Sequence, residues 1–332
     1  MTIDASPLRR RMAIPRDLAG TTFRAFGTTV GVWITPARYL AQAEQVLRQW
    51  VHVVDGACSR FRSDNDLSRV NAAAGCPVHV SAEFLDALGA AIAMAEMTQG
   101  WCDPTIGAAV IAAGYDRPFD QMPLQVAPAP SCAARRVGDA RWRQIIVDHR
   151  RSAVTIPPEI RLDFGASAKG WAVDVALQRI LDAIDDPCAG ACVSAGGDLG
   201  VAGHGPLDGW PVRLSETLGS TPSDADTWIA LGSGGMATSG ALHRRWRVDG
   251  ASMHHLIDPR TGLPARSHWR MVTVAAPTCL AADCLATAAF LMGHTAIDWL
   301  EARTLRARLV DEDGGIVSTC GGLDACAPPT SR

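Results

Sequence analysis

The sequence predicts an α+β fold, built as two intimately joined lobes of mixed or antiparallel sheet with packed helices. Strand patterns, long helical patterns and returning strand patterns follow one another without the regular alternation that builds a parallel sheet. The second half of the chain alternates short apolar runs with glycine-rich turns. No G-x-G-x-x-G lies between a strand and a helix, and there is no Walker A motif, so a dinucleotide-binding parallel sheet is not expected.

The composition is typical of a globular protein, and the net charge excludes some classes of binding partner. Hydrophobic residues make up 48% and charged residues 20% of the 332 residues, which is enough apolar surface for a substantial core. The formal net charge of -3 leaves no general basic field that would hold nucleic acid or an anionic membrane. We therefore expect no nucleic acid and no membrane surface among the partners.

We expect one domain over residues 21–320, between a disordered tail at 1–20 and a C-terminal tail at 321–332. The first residues include several arginines but no apolar segment of a secretory signal. The ten cysteines contain no C-x-x-C pair and no zinc-ligand spacing, so most are expected to be reduced thiols. Both features predict a cytoplasmic protein.

Periodicity and capping signals predict the first elements. Alternation of apolar residues predicts a strand over Phe23–Thr35, and a period near 3.6 predicts a helix from Ala37 to about Val54. A second helix begins after Ser81, whose hydroxyl suits an N-cap, and ends before Gly100, which suits a C-terminal cap. Its apolar stripe consists of Phe84, Leu85, Leu88, Ile92 and Ala95.

The middle of the chain is interrupted by prolines between residues 118 and 140, which predict a surface excursion rather than an interdomain linker. Beyond it, residues 142–147 and 153–156 are predicted to be paired strands across a polar turn. A helix with one apolar face is predicted over Ala166–Ile184.

One apolar stretch, Met271–Gly293, is long enough to cross a membrane, but its details argue against a span. Pro277 interrupts it, and Asp283 would lie near the centre of the bilayer. Its first part is β-branched and the rest is rich in alanine. We therefore predict a buried strand, a short turn and a buried helix, and no membrane span.

The turn from Leu162 to Gly170 is the first candidate for a functional site. Its small residues let a ligand approach the backbone, and it opens a helix whose unpaired N–H groups suit an anion. Lys169 lies in the first turn of that helix and is the only lysine among 31 basic residues. The segment fits either an ordinary structural turn or an anion site.

Asp283 and Thr287 form the second candidate, because residues four apart share one face of a helix. A carboxylate amid Ala, Leu and Phe must be paired, protonated or bound to a cation. Carboxylate, hydroxyl and carbonyl oxygens suit Mg²⁺ better than zinc or copper. The alternative is that Asp283 only caps a helix.

The third candidate is Ala237-Thr238-Ser239-Gly240, followed by the stretch from His254 to Pro264. Adjacent histidines on a strand point to opposite faces, so His254 and His255 are not expected to chelate one metal. Asp-Pro-Arg-Thr-Gly, residues 258–262, is typical of a turn. The segment therefore provides a turn and one candidate for a catalytic histidine.

In order and spacing, these segments resemble the FAD:protein FMN transferase family, known as ApbE, over most of residues 22–310. The resemblance implies that the protein cleaves FAD, its substrate, at the pyrophosphate with Mg²⁺. It also implies attachment of FMN through a phosphoester to a Thr or Ser of an acceptor flavoprotein, with release of AMP. The further matching segments are Ala25-Phe26-Gly27-Thr28, Asp66-Leu67-Ser68-Arg69-Val70-Asn71, Cys102-Asp103-Pro104-Thr105 and Ala195-Gly196-Gly197-Asp198.

The resemblance also implies roles for individual residues. The Ala166 backbone carbonyl, Asp283 and Thr287 would bind Mg²⁺. A cation bridging pyrophosphate oxygens, with a lysine nearby, would neutralise charge that grows as the P–O–P bond breaks. His255 is the candidate that takes the proton from the acceptor hydroxyl, and Asp283 is its rival. The implied FAD contacts are Phe26, Trp101, Cys102, Asp103, Asp163, Lys169, Ser239 and Ile257.

Two other functions fit the same residues. A Mg²⁺-dependent FAD pyrophosphatase would use water as the acceptor and give FMN and AMP. A non-catalytic protein could hold FAD intact, although tight holding does not require Asp283, Thr287 and Lys169 together.

Overall fold

The computed structural model describes residues 17–123, 125–126, 140–206, 209–215 and 227–323, and it confirms the predicted α+β class. Eight strands form one antiparallel sheet that runs through both halves of the chain. Smaller hairpins and three-stranded sheets surround it.

The strands are numbered along the chain. They are β1 (Ala19–Ala25), β2 (Thr28–Thr35), β3 (Val78–His79), β4 (Gln125–Val126), β5 (Ile146–Asp148), β6 (Ala153–Thr155), β7 (Gly190–Ala195), β8 (Asp198–Gly203), β9 (Trp210–Leu214), β10 (Thr227–Leu231), β11 (Gly234–Gly240), β12 (Arg245–Val248), β13 (Ala251–His254), β14 (Ile257–Asp258), β15 (Leu263–Pro264), β16 (Trp269–Ala276), β17 (Arg306–Asp311) and β18 (Ile316–Thr319). The order in the large sheet is β1-β2-β7-β8-β11-β16-β17-β18.

The helices lie mainly on one face of this sheet. They are α1 (Leu40–Cys58), α2 (Asp66–Ala72), α3 (Ala82–Met97), α4 (Gly107–Ala112), α5 (Ala168–Ile184), α6 (Cys279–Met292) and α7 (Ala296–Glu301). Helix α5 packs on β7 and β8, and α6 packs on β11 and β16. One apolar cluster surrounds α1, α3 and α5, and a second surrounds α6 and α7. Because both lie on the same sheet, the two lobes are intimately joined.

Alternation along β7 shows how the sheet is buried on both faces. Val193 belongs to the apolar cluster under the helices, whereas its neighbour Cys192 points to the opposite face. The hairpin of β9 and β10 covers that opposite face with Trp210 and Val212. The result is a layer of helices, the sheet, and a hairpin layer behind it.

The strand predicted over Phe23–Thr35 is wrong, because the chain reverses direction within it. β1 and β2 pair as a hairpin, with Ala25 opposite Thr28. The turn residues Phe26 (φ 53°) and Gly27 (φ 66°) both adopt left-handed backbone conformations. Two such residues match the twist of a tight hairpin, and glycine is the usual signal for it. This turn places Phe26 at the tip of the hairpin.

The strand predicted over residues 142–147 is only partly right. Residues 141–144 form a short 3-10 helix, so the strand is β5, which begins at Ile146. Its predicted pairing is confirmed, because Val147 lies opposite Val154 in β6.

Three predicted helices are confirmed, two of them with shifted ends. A 3-10 turn occupies residues 37–39, and α1 then continues beyond the predicted end. The Ser81 hydroxyl accepts a hydrogen bond from the Phe84 N–H at 3.2 Å, as an N-cap does. Gly100, with φ at +85°, closes α3 by donating its N–H to the Ala95 carbonyl at 2.7 Å. The helix predicted from Ala166 begins two residues later, as α5.

The apolar stretch Met271–Gly293 is a buried strand followed by a buried helix, as predicted. By length and composition alone, residues 279–301 could cross a membrane, but 67% of their most apolar window is buried inside the fold. Such burial is what the core helix of a folded domain shows.

Parts of three predicted segments lie outside the described residues: 1–16 and 324–332 of the two tails, and residue 124 with 127–139 of the proline-rich excursion. Where the tails are described, they belong to the domain. Residues 19 and 20 are in β1, and Leu323 is buried against the β9–β10 hairpin layer.

Helices α5 and α6 meet at an unusually close contact that positions the site. A Cβ atom on Gly170 would lie 2.7 Å from the Leu280 Cα, so only glycine fits there without a shift. One turn further along α5, the Asp174 carboxylate accepts hydrogen bonds from the Cys279 N–H at 2.8 Å and the Leu280 N–H at 2.9 Å. Asp174 thereby satisfies the first N–H groups of α6, together with the Thr278 N-cap.

We expect Asp174→Ala to lower the free energy of unfolding by about 2 kcal/mol, because it leaves two helix N–H groups without their charged acceptor. Asp182→Ala, at an exposed position of the same helix, is the matched control and should change it by less than about 0.5 kcal/mol. Urea unfolding measures both. Equal losses in the two variants would contradict this role of Asp174.

Candidate active site

A cavity of about 500 Å³ opens where the start of α5, helix α6, strand β11 and the loops around residues 101–106 and 241–257 meet. Its volume is typical of a small-molecule site. The structure brings every predicted site residue to this one cavity. The lining includes Phe26, Trp101, Cys102, Asp103, Asp163, Ala166, Lys169, Ser239, His255, Ile257, Asp283 and Thr287.

An ion cluster lies at the inner end of the cavity. The Lys169 ammonium contacts Asp198 directly, and its Nζ lies 3.2 Å from Oδ2 of Asp283. The two carboxylates are almost completely buried. Asp198 begins β8 and was not among the predicted site residues, although it ends the Ala-Gly-Gly-Asp segment. Its signal in the sequence was a carboxylate at the end of a glycine turn before an apolar strand.

The cluster shifts the pKa values of its members. Burial opposes the Lys169 charge, but Asp198 and Asp283 outweigh it and raise the pKa of Lys169 above its ordinary value. Burial first, and the negative charge of Asp198 second, raise the pKa of Asp283 to about 7, against the opposing effect of Lys169. The alternative in which Asp283 only caps α6 is wrong, because the Thr278 side chain is the N-cap and Asp283 faces Lys169.

The oxygens around Asp283 fit a hard divalent cation. Thr287 lies one turn further along α6, and its hydroxyl is 2.8 Å from the Ser239 hydroxyl. Among the described residues, the Ala166 carbonyl oxygen accepts contacts from two thiols, Cys284 at 3.2 Å and Cys102 at 3.7 Å. The described residues contain no group of three His, Cys, Asp or Glu side chains that could hold a metal. One carboxylate with neutral oxygens fits Mg²⁺, which usually keeps water and substrate phosphates as further ligands.

The other two predicted carboxylates shape the loops that carry them. Asp163 accepts a hydrogen bond from the Gly165 N–H at 2.7 Å, and its Oδ2 lies 3.2 Å from Arg60 Nε. Asp103 accepts hydrogen bonds from the N–H and the hydroxyl of Thr105, both at 2.7 Å. Burial raises the pKa of Asp103. Both carboxylates therefore fix the turns at which the cavity wall forms.

The predicted turn at residues 258–262 is confirmed and joins two parts of the wall. The Gly262 N–H donates to the Asp258 carbonyl at 2.8 Å. The Asp258 carboxylate also holds the Arg260 guanidinium through two contacts of 3.0 and 2.7 Å. That guanidinium lies 4.0 Å from the centre of the Trp101 ring, a cation–π contact. The turn thus links Trp101 to the strand that carries Ile257.

An aromatic part of the cavity wall was missed from the sequence. The Arg60 guanidinium lies 4.3 Å from the Phe61 ring centre and 4.1 Å from that of Tyr115, and Phe119 continues the wall. Flat apolar walls of this kind suit a conjugated ring. No local pattern marks these residues, because an aromatic beside an arginine is common on ordinary surfaces.

The two adjacent histidines point in different directions, as predicted. His254 Nε2 lies 3.0 Å from the Ala265 carbonyl oxygen, and its ring packs edge-on against Phe290. His255 lines the cavity, and its buried Nδ1 has no hydrogen-bond partner among the described residues. Burial, and then the positive charge of Arg244, hold the pKa of His255 well below its ordinary value. These effects favour the neutral imidazole at His255.

Comparison with known proteins gives one consistent result. The model of the ApbE family matches residues 26–309. The chain is 28% identical over 277 residues to the FAD:protein FMN transferase of Haemophilus influenzae, across 80% of this chain and 77% of that relative. It is 31% identical over 255 residues to the FAD:protein FMN transferase of Treponema pallidum, across 71% of this chain and 67% of that relative. The crystal structure of the ApbE protein from Thermotoga maritima superposes with a TM-score of 0.76 at 27% identity, across 91% and 97% of the two chains.

We expect acid to destabilise the wild type more than a His255→Gln variant. In the unfolded chain His255 takes up a proton near its ordinary pKa of 6.5, whereas the folded chain resists it. The stability that neutral His255 provides is therefore present above that pH and lost below it. Between pH 7.5 and 5.5 the wild type should lose roughly 1 kcal/mol more of its unfolding free energy than the variant.

Urea unfolding at the two pH values measures this difference. His52→Gln, at an exposed histidine of α1, is the matched control. The interpretation of His255 as buried and neutral fails if the His255 and His52 variants lose the same stability on acidification.

Proposed function

Since the chain belongs to the ApbE family, we propose that it is a Mg²⁺-dependent transferase that moves FMN from FAD to a Thr or Ser hydroxyl of an acceptor flavoprotein and releases AMP. The observation that carries the proposal is the convergence of Lys169, Asp283, Thr287 and the Ala166 carbonyl on one cavity. We further propose that the predicted domain, residues 21–320, acts as a single catalytic unit together with the described flanking residues that pack on it.

Asp283, Thr287 and the Ala166 carbonyl would hold Mg²⁺ in this proposal. They supply a carboxylate and two neutral oxygens at the inner end of the cavity. The bound cation would neutralise charge on the pyrophosphate oxygens of FAD. Lys169 would add a second positive charge beside these oxygens. Its contact with Asp198 would hold the ammonium in place while Asp283 binds the cation.

The transfer forms a bond between the acceptor oxygen and the FMN phosphorus and breaks the bond from that phosphorus to the bridging oxygen. AMP leaves with the bridging oxygen and the electron pair of the broken bond. The acceptor hydroxyl loses its proton, and the proposed base is His255, because it lines the cavity and its Nδ1 has no hydrogen-bond partner among the described residues. Asp283 is its rival for this role, although Lys169 already contacts the Asp283 carboxylate.

The remaining predicted residues would bind the rest of FAD. Phe26, Trp101 and Ile257 supply apolar contacts, and the last two are linked through Arg260. Cys102 and Asp103 line the cavity next to Trp101 in the sequence. Asp163 also lines the cavity, where its carboxylate contacts Arg60. The Ser239 hydroxyl contacts the Thr287 hydroxyl. These contacts would hold the dinucleotide while its pyrophosphate lies against the ion cluster.

Cysteine chemistry supports the expected cytoplasmic location. The eight cysteines in the described part of the chain are all free thiols, and Cys192, Cys279 and Cys284 are buried in the core. Burial raises the pKa of Cys279 well above its ordinary value, so this thiol resists oxidation. Such a set of thiols is typical of a reducing compartment.

The three candidate functions give different results in one assay. The protein is mixed with FAD and Mg²⁺, with and without a cell lysate as the source of acceptor. A transferase releases most AMP with lysate and labels a protein band with covalent flavin, which in-gel fluorescence and mass spectrometry detect. A pyrophosphatase releases AMP freely without acceptor. An FAD-binding protein releases none, and that result would overturn the proposal.

We expect Asp283→Asn to reduce Mg²⁺-dependent AMP release by about 100-fold or more, because it removes the one charged donor to the cation and keeps the shape of the side chain. Asp298→Asn, at an exposed position of α7, is the matched control. Both variants should keep the wild-type melting temperature within a few degrees. Unchanged AMP release in Asp283→Asn would remove the basis for the metal assignment.

A further inference from the structure

Arg244 is a cavity residue to which the proposed mechanism gives no role. It lies in the loop between β11 and β12 and lines the same cavity as Lys169 and His255. Within the described ranges, its guanidinium forms no hydrogen bond and no ion pair. The other cationic side chains of the cavity wall are different, because Lys169 contacts two carboxylates, Arg60 contacts Asp163 and Arg62 contacts Asp64.

The loop that carries Arg244 is held at both sides. Arg245 turns away from the cavity and donates its Nε–H to the Ala241 carbonyl, which closes the loop. Trp246 is buried and donates its indole N–H to the Ala113 carbonyl at 2.8 Å. The backbone at Arg244 is therefore fixed on both flanks, and the side chain remains directed to the cavity.

The charge of Arg244 acts on the reactive end of the cavity. It opposes protonation of His255 and also disfavours the charge of Lys169. The charges of Arg244 and Lys169 are therefore close enough to interact across the cavity. An anionic ligand placed between them would attract both.

We propose that Arg244 binds the pyrophosphate of FAD and carries charge that develops when the phosphorus is attacked. This inference rests on the proposed function. The planar guanidinium can donate two parallel hydrogen bonds to non-bridging phosphate oxygens, which a lysine cannot do. Arg244 lines the cavity together with His255, the proposed base. Keeping His255 neutral is a second effect of the same charge.

Binding measurements without turnover test the inference. FAD and riboflavin are titrated into the full-length protein with EDTA present, and flavin fluorescence reports each Kd. Riboflavin has the same ring system but no phosphate. We expect Arg244→Gln to weaken FAD binding about 10-fold and to change riboflavin binding less than about 2-fold. Arg244→Lys should lose part of the FAD affinity, since it keeps the charge without the planar donor pair.

Turnover supplies the second readout. With Mg²⁺ and acceptor, kcat for AMP release should fall about 100-fold in Arg244→Gln, more than KM rises. Arg247→Gln is the matched control, because Arg247 is an exposed residue of β12 whose guanidinium donates to the Gly250 carbonyl. It should stay within about 2-fold of wild type in both assays.

The outcomes separate this inference from the proposed function. Equal loss of FAD and riboflavin affinity in both Arg244 variants, or wild-type FAD affinity in Arg244→Gln, overturns the role of Arg244. If the wild type binds FAD but neither releases AMP nor labels a protein, the proposed transferase activity fails. The comparison of FAD with riboflavin still decides whether Arg244 binds the pyrophosphate.

Discussion

The buried contacts between Lys169, Asp198 and Asp283 are the constraint on which the site depends. They join the first turn of α5, the first residue of β8 and the second turn of α6. Removing Lys169 from the cluster would leave two buried carboxylates without their counter-charge. The cluster therefore fixes three elements relative to one another and at the same time concentrates charge at one end of a cavity.

The backbone around the cluster allows the elements that carry these three residues to approach one another closely. Gly170 lets α5 touch the start of α6, and Asp174 supplies the acceptors that α6 lacks at its first turn. Gly196 and Gly197 adopt positive φ angles of 67° and 103°, so the chain can reverse between β7 and β8 directly before Asp198. A larger residue at these points would move a member of the cluster.

Much of the fold was predictable because it depends on local patterns. The β-branched and then alanine-rich composition of Met271–Gly293, the Ser81 cap and the pairing of β5 with β6 all follow from neighbouring residues. The Phe26-Gly27 reversal was missed because alternation on both sides of a two-residue turn is indistinguishable from one long strand. Only the left-handed conformation of both turn residues separates the two cases, and Phe rarely adopts it.

The site was predictable where residue type and position in a motif coincide, as for Lys169 and the pair Asp283 and Thr287. It was not predictable where function comes from long-range contact. Asp198 lies 29 residues from Lys169 in sequence, and Arg60 reaches the cavity through its contact with Asp163. Arg244 is one arginine among many, and it is distinguished by lining the cavity while its guanidinium has no partner among the described residues.

The central claim is that the oxygens beside this ion cluster bind the divalent cation that neutralises charge on the FAD pyrophosphate. Anomalous diffraction from crystals grown with FAD and Mn²⁺ in place of Mg²⁺ tests it most directly. The expected result is one strong peak bounded by the Asp283 carboxylate, the Thr287 hydroxyl and the Ala166 carbonyl, with Lys169 still on Asp198. A peak elsewhere in the FAD complex, with the contact between Lys169 and Asp283 intact, would contradict the account.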